Sequence, residues 1–175
     1  YAPKIIGAKR DKYRLPPLDI EVEEGKKLTI GSKKFDIYDV DGHTVGHVAY
    51  NLLDDKALFS GDSLMVMGCG RLFEGTPEDM WKSLEKLKQL PEDTMIYSGH
   101  EYTKSNTEFA ITVDPQNERL KNRRIRDLDQ LQKGHPTVPS TLREELGTNP
   151  FLRESELSIV DHLGMANLDP ISRFA

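Results

Sequence analysis

Three side chains in this sequence could form a metal or acid–base site: His43, Asp62 and His100. Each follows a glycine where a predicted strand gives way to a loop, so the backbone can turn there and the side chain can project from the rim of a sheet. Two imidazoles and one carboxylate suit Zn, Fe or Mn, and a carboxylate can bridge two ions. The alternative is that each is a hydrogen-bonded loop residue, and spacing alone leaves both interpretations open.

The other histidines and the single cysteine are interpreted as supporting or ordinary residues. His47 follows His43 by four residues, but a loop-to-strand transition would turn it away from the rim, so we expect it to orient the loop. His135 and His162 have no ligand types nearby and are expected to be surface or packing residues. Cys69 has no base beside it in the sequence and is interpreted as a small buried apolar residue.

The elements that must position these side chains are short strands with tight turns. Alternating and β-branched residues, separated by glycine or acidic turns, predict strands over 26–30, 34–40, 48–53, 57–60 and 94–97. Because most of these strands are close in sequence, we expect a sheet built largely from sequence neighbours. Asp62 and His100 then follow the ends of two of its strands.

One helix is predicted with particular clarity after the glycine-rich loop 68–75. Thr76 is a suitable N-cap, Pro77 follows at the first helical position, and Asp79 completes a pattern like a capping box. Apolar residues at helical spacing then mark one face, and Pro91 ends the pattern. This helix is expected to cover one face of the sheet.

The composition changes near residue 102. Polar helices are predicted over 106–113, 116–132 and 141–146, with proline and glycine between them. The sequence therefore predicts an α/β or α+β domain over residues 1–102 and an all-helical domain over residues 103–175.

Composition limits the classes of partner. The chain has 175 residues, 37% hydrophobic and 30% charged, with a net charge of −5, which argues against nucleic acid as the main partner. No apolar run of about 18 residues is present, so we expect no membrane partner. One cysteine excludes an internal disulfide and any zinc site that needs paired cysteines, and it favours a reducing, cytoplasmic setting.

Five sequence stretches together resemble a known family. They are GHTVGH at 42–47, FSGDSL at 59–64, GCGRLFEGT at 68–76, GHEYT at 99–103 and PTVPST at 136–141. The first two are similar to the metallo-β-lactamase superfamily. The other three are similar, within it, to glyoxalase II, the hydroxyacylglutathione hydrolases. The resemblance covers nearly the whole chain in order.

The resemblance implies a fold, a metal site and a reaction. The fold would be an αββα sandwich with a helical domain that shapes the substrate cleft. The site would hold two divalent metals, Zn with Fe or Mn as alternatives. His43 would ligate the first metal and His100 the second, and the catalytic Asp62 would bridge both. The substrate site would be lined by Arg71, Leu72, Phe73, His100, Glu101 and Tyr102. The complete enzyme would be a monomer that detoxifies methylglyoxal by hydrolysing S-(R)-lactoylglutathione to glutathione and D-lactate with a metal-bound hydroxide.

The sequence also departs from the family pattern. The THxHxDH motif that supplies the other four metal ligands is not among these residues, and the family places it before a segment like 1–7. Phe73 stands where the family commonly has Tyr, so a hydroxyl is missing. The basic residues that the family places in its last helix, to hold the substrate's carboxylates, would come just after Ala175. We therefore expect this sequence to resemble the family enzyme clipped at both ends. The alternatives are a catalytically silent fragment or interaction module of such an enzyme, or a hydrolase of another thioester.

Overall fold

The computed structural model describes residues 2–175. Its strands are β1 (Ile6–Ala8), β2 (Ile20–Val22), β3 (Lys27–Ile30), β4 (Lys33–Asp39), β5 (Val48–Leu52), β6 (Ala57–Gly61), β7 (Leu64–Met65), β8 (Gly68–Cys69), β9 (Met95–Ser98) and β10 (Ser140–Thr141). Its α-helices are α1 (Pro77–Leu87), α2 (Thr103–Val113), α3 (Glu118–Gln132), α4 (Leu142–Thr148), α5 (Leu157–Leu163) and α6 (Pro170–Phe174). Short 3-10 helices span Lys9–Asp11, Leu53–Asp55 and Pro150–Leu152.

A mixed sheet of six strands organises the chain, in the order β10-β9-β6-β5-β4-β3. All its neighbouring strands are antiparallel except β6 and β9, which are parallel. The connection between those two contains α1, as a parallel pair requires a crossover. The predicted strands therefore form one mixed sheet, and the α/β expectation is confirmed.

The sheet is covered on one face by α1. The predicted capping box is present, because the Thr76 side chain accepts from the N–H of Asp79 while the Asp79 carboxylate accepts from the N–H of Thr76. Apolar residues of α1 pack on the sheet in a core that reaches the last helix; this core includes Val40, Ala49, Leu58, Met80, Leu84, Leu87, Ile96 and Phe174. Because α1 begins at Pro77, its packing on the sheet also fixes the position of the glycine-rich loop 68–75 that precedes it.

The opposite face is only partly covered. The parallel pair β1 and β2, which the sequence did not predict, supplies Val22 to a second cluster with Leu28 and Ile37. Farther along the same face, Phe59 and Tyr97 stack at 5.2 Å between ring centroids and remain 43% and 37% exposed. The part of this face formed by β6 and β9 is therefore the less covered part.

The second half of the chain is mainly helical, with one exception. β10 pairs antiparallel with β9 and so adds an edge strand to the main sheet. The expectation that residues 103–175 are all helical is therefore too strong, because Ser140 and Thr141 complete backbone pairing with Ile96 and Met95. A domain boundary near residue 102 stays a prediction. Among the helices of residues 2–175, none has the length and apolarity needed to cross a membrane.

Candidate metal and substrate site

Three chain segments bring His43, Asp62 and His100 to one point at the edge of the sheet. His43 lies in the loop between β4 and β5, Asp62 follows β6, and His100 follows β9. Nε2 of His43 is 3.4 Å from Oδ2 of Asp62, and Nε2 of His100 is 3.5 Å from the same oxygen. The structure thus places the three sequence-predicted ligands around one carboxylate oxygen.

The position of Asp62 is set by a sharp turn at the end of β6. Gly61 has φ +56°, and an added Cβ there would lie 2.4 Å from Nε2 of His47. That Nε2 accepts a hydrogen bond from the backbone N–H of Asp62 at 3.1 Å. Burial lowers the pKa of His47, which favours the neutral ring that can accept this bond. His47 therefore supports the Asp62 turn, as the sequence interpretation expected.

His43 is oriented by a backbone carbonyl. Its Nδ1 lies 2.8 Å from the oxygen of Arg71, and because a carbonyl oxygen can only accept, Nδ1 carries the proton. In the neutral ring Nε2 is then a lone-pair donor aimed at the Asp62 carboxylate. This is the arrangement found in metal-binding histidines, whose second nitrogen donates to a carbonyl or carboxylate.

These groups fit divalent metals on two further observations. Oδ1 of Asp62 is buried and has no hydrogen-bond partner within residues 2–175, so the carboxylate keeps unused acceptor capacity. Two atoms that each lie about 2.1 Å from the same tetrahedral ion are about 3.4 Å apart. This is close to the distances of 3.4 Å and 3.5 Å from Oδ2 of Asp62 to Nε2 of His43 and Nε2 of His100. A cation beside Oδ2 would also stabilise the facing acceptor atoms.

The described residues nevertheless form only a partial metal centre. Within the stretch 2–175, no three His, Cys, Asp or Glu side chains are arranged so that together they could hold one ion. If Asp62 is shared between two ions, His43 gives one ion a second ligand and His100 does so for the other. Each would have two of the four ligands typical of zinc. The remaining ligands must come from other groups.

A cavity of ≈ 390 Å³ opens beside the three side chains. Its walls are His43, Asp62, Met65, Cys69, Gly70, Arg71, Phe73, His100, Tyr102, Ser105 and Asn106. Phe73 lies against His43 at 4.8 Å between ring centroids, and Tyr102 stacks on His100 at 5.4 Å. The cavity therefore combines the candidate ligands with two aromatic walls and the residue Arg71.

Two residues predicted to line the substrate site, Leu72 and Glu101, are not among the walls of this cavity. Leu72 lines a neighbouring apolar groove of ≈ 220 Å³ with Phe151 and Phe174. The Glu101 carboxylate accepts from both the N–H and the hydroxyl of Thr137, each at 2.6 Å. This carboxylate therefore holds the 137 loop against the segment that carries His100, and the place of Glu101 in the substrate site stays a prediction.

The sequence interpretation did not place five cavity residues in the site: Met65, Cys69, Gly70, Ser105 and Asn106. Ser105 and Asn106 lie in the first turn of α2, directly after the motif that carries His100. The predicted helix began at residue 106, whereas a prediction that it begins at Thr103 would have indicated these two residues. Met65 could not be found in the same way, because it reaches the cavity through the hairpin β7–β8.

The residues interpreted as ordinary lie away from the ligand cluster or are inert. His135 is exposed, and His162 is exposed with its Nε2 3.1 Å from the carbonyl of Thr112. Cys69 borders the cavity, but burial raises the pKa of its thiol to about 12. It therefore stays protonated near neutral pH and is a poor nucleophile.

Comparisons with known proteins agree with this geometry. Residues 2–100 match the family model described as the metallo-beta-lactamase superfamily, and residues 101–175 match the model described as the hydroxyacylglutathione hydrolase C-terminus. A hydroxyacylglutathione hydrolase from Ruegeria pomeroyi is 53% identical over the whole chain, which covers 69% of that relative. The chain belongs to the hydroxyacylglutathione hydrolase family. The two family models thus match successive parts of the chain, one over residues 2–100 and the other over residues 101–175.

Solved structures place this hydroxyacylglutathione hydrolase family member in the metallo-β-lactamase fold. The BLEG-1 B3 metallo-beta-lactamase superposes with a TM-score of 0.60 at 23% identity, over 85% of this chain and 65% of that one. TTHA1623, solved in a di-iron-bound form, superposes with a TM-score of 0.51 at 28% identity, over 78% of this chain and 50% of that one. The predicted fold class is therefore confirmed.

Proposed function

We propose that this chain serves in the metal-dependent hydrolysis of S-(R)-lactoylglutathione to glutathione and D-lactate. The observation that supports it most is the convergence of His43, Asp62 and His100 on the wall of one cavity. The relatives named hydroxyacylglutathione hydrolases supply the substrate class. We further propose a monomeric enzyme in a reducing cytoplasm, with no nucleic-acid or membrane partner.

The proposed ligands are His43 for one metal, His100 for the other and Asp62 for both. Two divalent ions, when bound, lower the pKa of water and polarise the substrate carbonyl. We propose zinc, with iron supported as the alternative by the di-iron form of TTHA1623. The negative charge of Asp62 offsets the repulsion between two nearby cations. The Arg71 carbonyl keeps His43 in the tautomer that presents Nε2 to the site.

The cavity walls would bind the glutathione carrier. The Arg71 guanidinium supplies a fixed positive charge for a carboxylate or carbonyl of the carrier. Phe73 and Tyr102 cover the rings of His43 and His100 and exclude water from one side of the site. A thiolate is a good leaving group, so the reaction requires little help from a general acid.

Asp62→Ala tests the proposal. In the metal-loaded protein we expect thioester turnover to be abolished and metal content to fall, because both ions lose a shared ligand. Thiol release from a panel of thioesters and elemental analysis give the two readouts. Asp129→Ala is the matched control, since that carboxylate forms an exposed ion pair with Lys133. Wild-type turnover with bound metal in Asp62→Ala would refute the assignment.

A catalytically silent state of this chain is the second candidate, and the partial ligand set favours it. Metal content and turnover should be compared between this chain and a form extended at its N-terminus to include a THxHxDH motif. Two metals and full turnover in the chain alone would show that other residues complete the site. Activity in the extended form only would support the silent state.

A further inference from the structure

A buried carboxylate in α4 reaches the hairpin that borders the metal and substrate site. Glu145 is 0% exposed, and each of its two oxygens accepts two hydrogen bonds. Oε1 accepts from the Arg123 guanidinium and the Ser140 hydroxyl, both at 2.6 Å. Oε2 accepts from the backbone N–H of Met67 at 2.8 Å and from the side-chain amide of Asn149 at 3.1 Å. One side chain thus joins α3, β10 and the hairpin.

The turn at the end of the β7–β8 hairpin is held by hydrogen bonds to side chains of the helical half of the chain. The turn between β7 and β8 is formed by Val66 and Met67, and Met67 has φ +52°, a conformation that costs free energy in a residue with a Cβ. Glu145 holds the N–H of Met67, and the Asn149 amide donates to the carbonyls of Met65 and Gly68 at 3.2 Å and 3.0 Å. The helical half of the chain therefore satisfies the polar backbone of this turn.

The hairpin connects directly to the groups that form the site. It begins two residues after Asp62 and closes with the N–H of Gly70 donating to the carbonyl of Ser63 at 3.1 Å. The next residue, Arg71, supplies the carbonyl that orients His43. A displacement of the turn would therefore move the Arg71 carbonyl relative to Asp62.

We infer that Glu145 is a positioning residue for the proposed hydrolysis. It holds the β7–β8 hairpin so that Asp62 and the carbonyl that orients His43 keep their relative places. The inference deepens the proposed function and rests on it, but its structural part concerns this chain alone. Glu145 does not line the cavity, and it acts through the hairpin.

Glu145→Gln removes the two hydrogen bonds that Oε2 accepts and keeps the two at Oε1. The glutamine oxygen should stay with the Arg123 guanidinium, because hydrogen bonds to charged groups are the stronger ones. The new NH2 group then faces the N–H of Met67 and the NH2 of Asn149, so that donors oppose donors on the hairpin side. Asp127→Asn is the matched control, because Asp127 is equally buried and also pairs with Arg123, at 3.2 Å, but does not touch the hairpin.

Two measurements test the inference. In this chain, hydrogen exchange should speed up about 10-fold for the amides of 67 and 70 in Glu145→Gln but not in Asp127→Asn. In the form of the protein that hydrolyses thioesters, Glu145→Gln should lower kcat about 10-fold with a smaller change in KM. Asp127→Asn should keep kcat at a comparable loss of melting temperature.

The possible outcomes separate this inference from the proposed function. Unchanged exchange in the hairpin, or equal effects of both substitutions on kcat, would overturn the positioning role. If no form of the protein hydrolyses a thioester, the proposed function fails, and the exchange data alone decide whether Glu145 holds the hairpin. Should Glu145→Gln not fold, Glu145→Asp gives the same test, since it keeps the negative charge beside the Arg123 guanidinium but is one methylene too short to hold Arg123 and the N–H of Met67 together.

Discussion

Gly61 allows a test of how the turn before Asp62 is held. Its φ of +56° and the 2.4 Å approach of an added Cβ to Nε2 of His47 impose two separate costs on Gly61→Ala. The left-handed conformation costs a residue with a Cβ about 1–2 kcal/mol. To avoid the contact, the His47 ring must move and leave the N–H of Asp62 without its acceptor, which costs about 1–3 kcal/mol more.

Gly31 provides the control, because it has almost the same backbone conformation without the contact. Its φ is +61°, and an added Cβ would find nothing within 4 Å. Gly31→Ala should therefore show the conformational cost alone, about 1–2 kcal/mol. The difference between the two variants isolates the His47 contact.

Urea unfolding of both variants measures this difference. We expect Gly61→Ala to lose about 2–5 kcal/mol of unfolding free energy, against about 1–2 kcal/mol for Gly31→Ala. Gly61→Ala should also lower metal binding and turnover, because Asp62 is displaced, whereas Gly31→Ala should preserve both. Equal destabilisation by the two substitutions would refute the supporting role of His47.

Two further predictions concern the cavity wall. Arg71→Ala should raise KM more than it lowers kcat, because the guanidinium would contact the carrier and not the reacting carbonyl; steady-state kinetics with an unchanged KM would contradict this. Cys69 should react with iodoacetamide at pH 8 about 1,000-fold more slowly than a free cysteine, because a pKa raised to about 12 leaves almost no thiolate at that pH. Alkylation followed by mass spectrometry checks this, and rapid modification in the folded state would contradict it.

Local signals explain which elements could be predicted from the sequence. The hairpin of β3 and β4 and the start of α1 were predictable because a glycine turn and a capping box lie within a few residues. β1 and β2 were not, since each has three residues and is defined only by pairing across a long connection. β10 was missed for the same reason, because two residues become a strand only beside β9.

The proximity of His43, Asp62 and His100, whose role as ligands stays a prediction, could be predicted from where the strands end. β6 and β9 are parallel neighbours, with Gly61 opposite Ser98, so the residues that follow them emerge at one edge of the sheet. The contacts that orient the ligands were not predictable. The Arg71 carbonyl at His43 is a backbone group without a sequence signature, and the Glu101 carboxylate proved to face Thr137.

Ligands and their supports have different origins in the chain, and this bears on the predicted domain boundary. His43, Asp62 and His100 all lie before residue 103, but Glu145 and Asn149, after it, hold the hairpin that follows Asp62. β10 also pairs with β9, the strand that precedes His100. Because buried polar bonds and sheet pairing cross the boundary, separating the halves would expose unpaired groups on both sides. We therefore expect the helical half to be needed to hold the hairpin in place beside the three proposed ligands, which it does not contain.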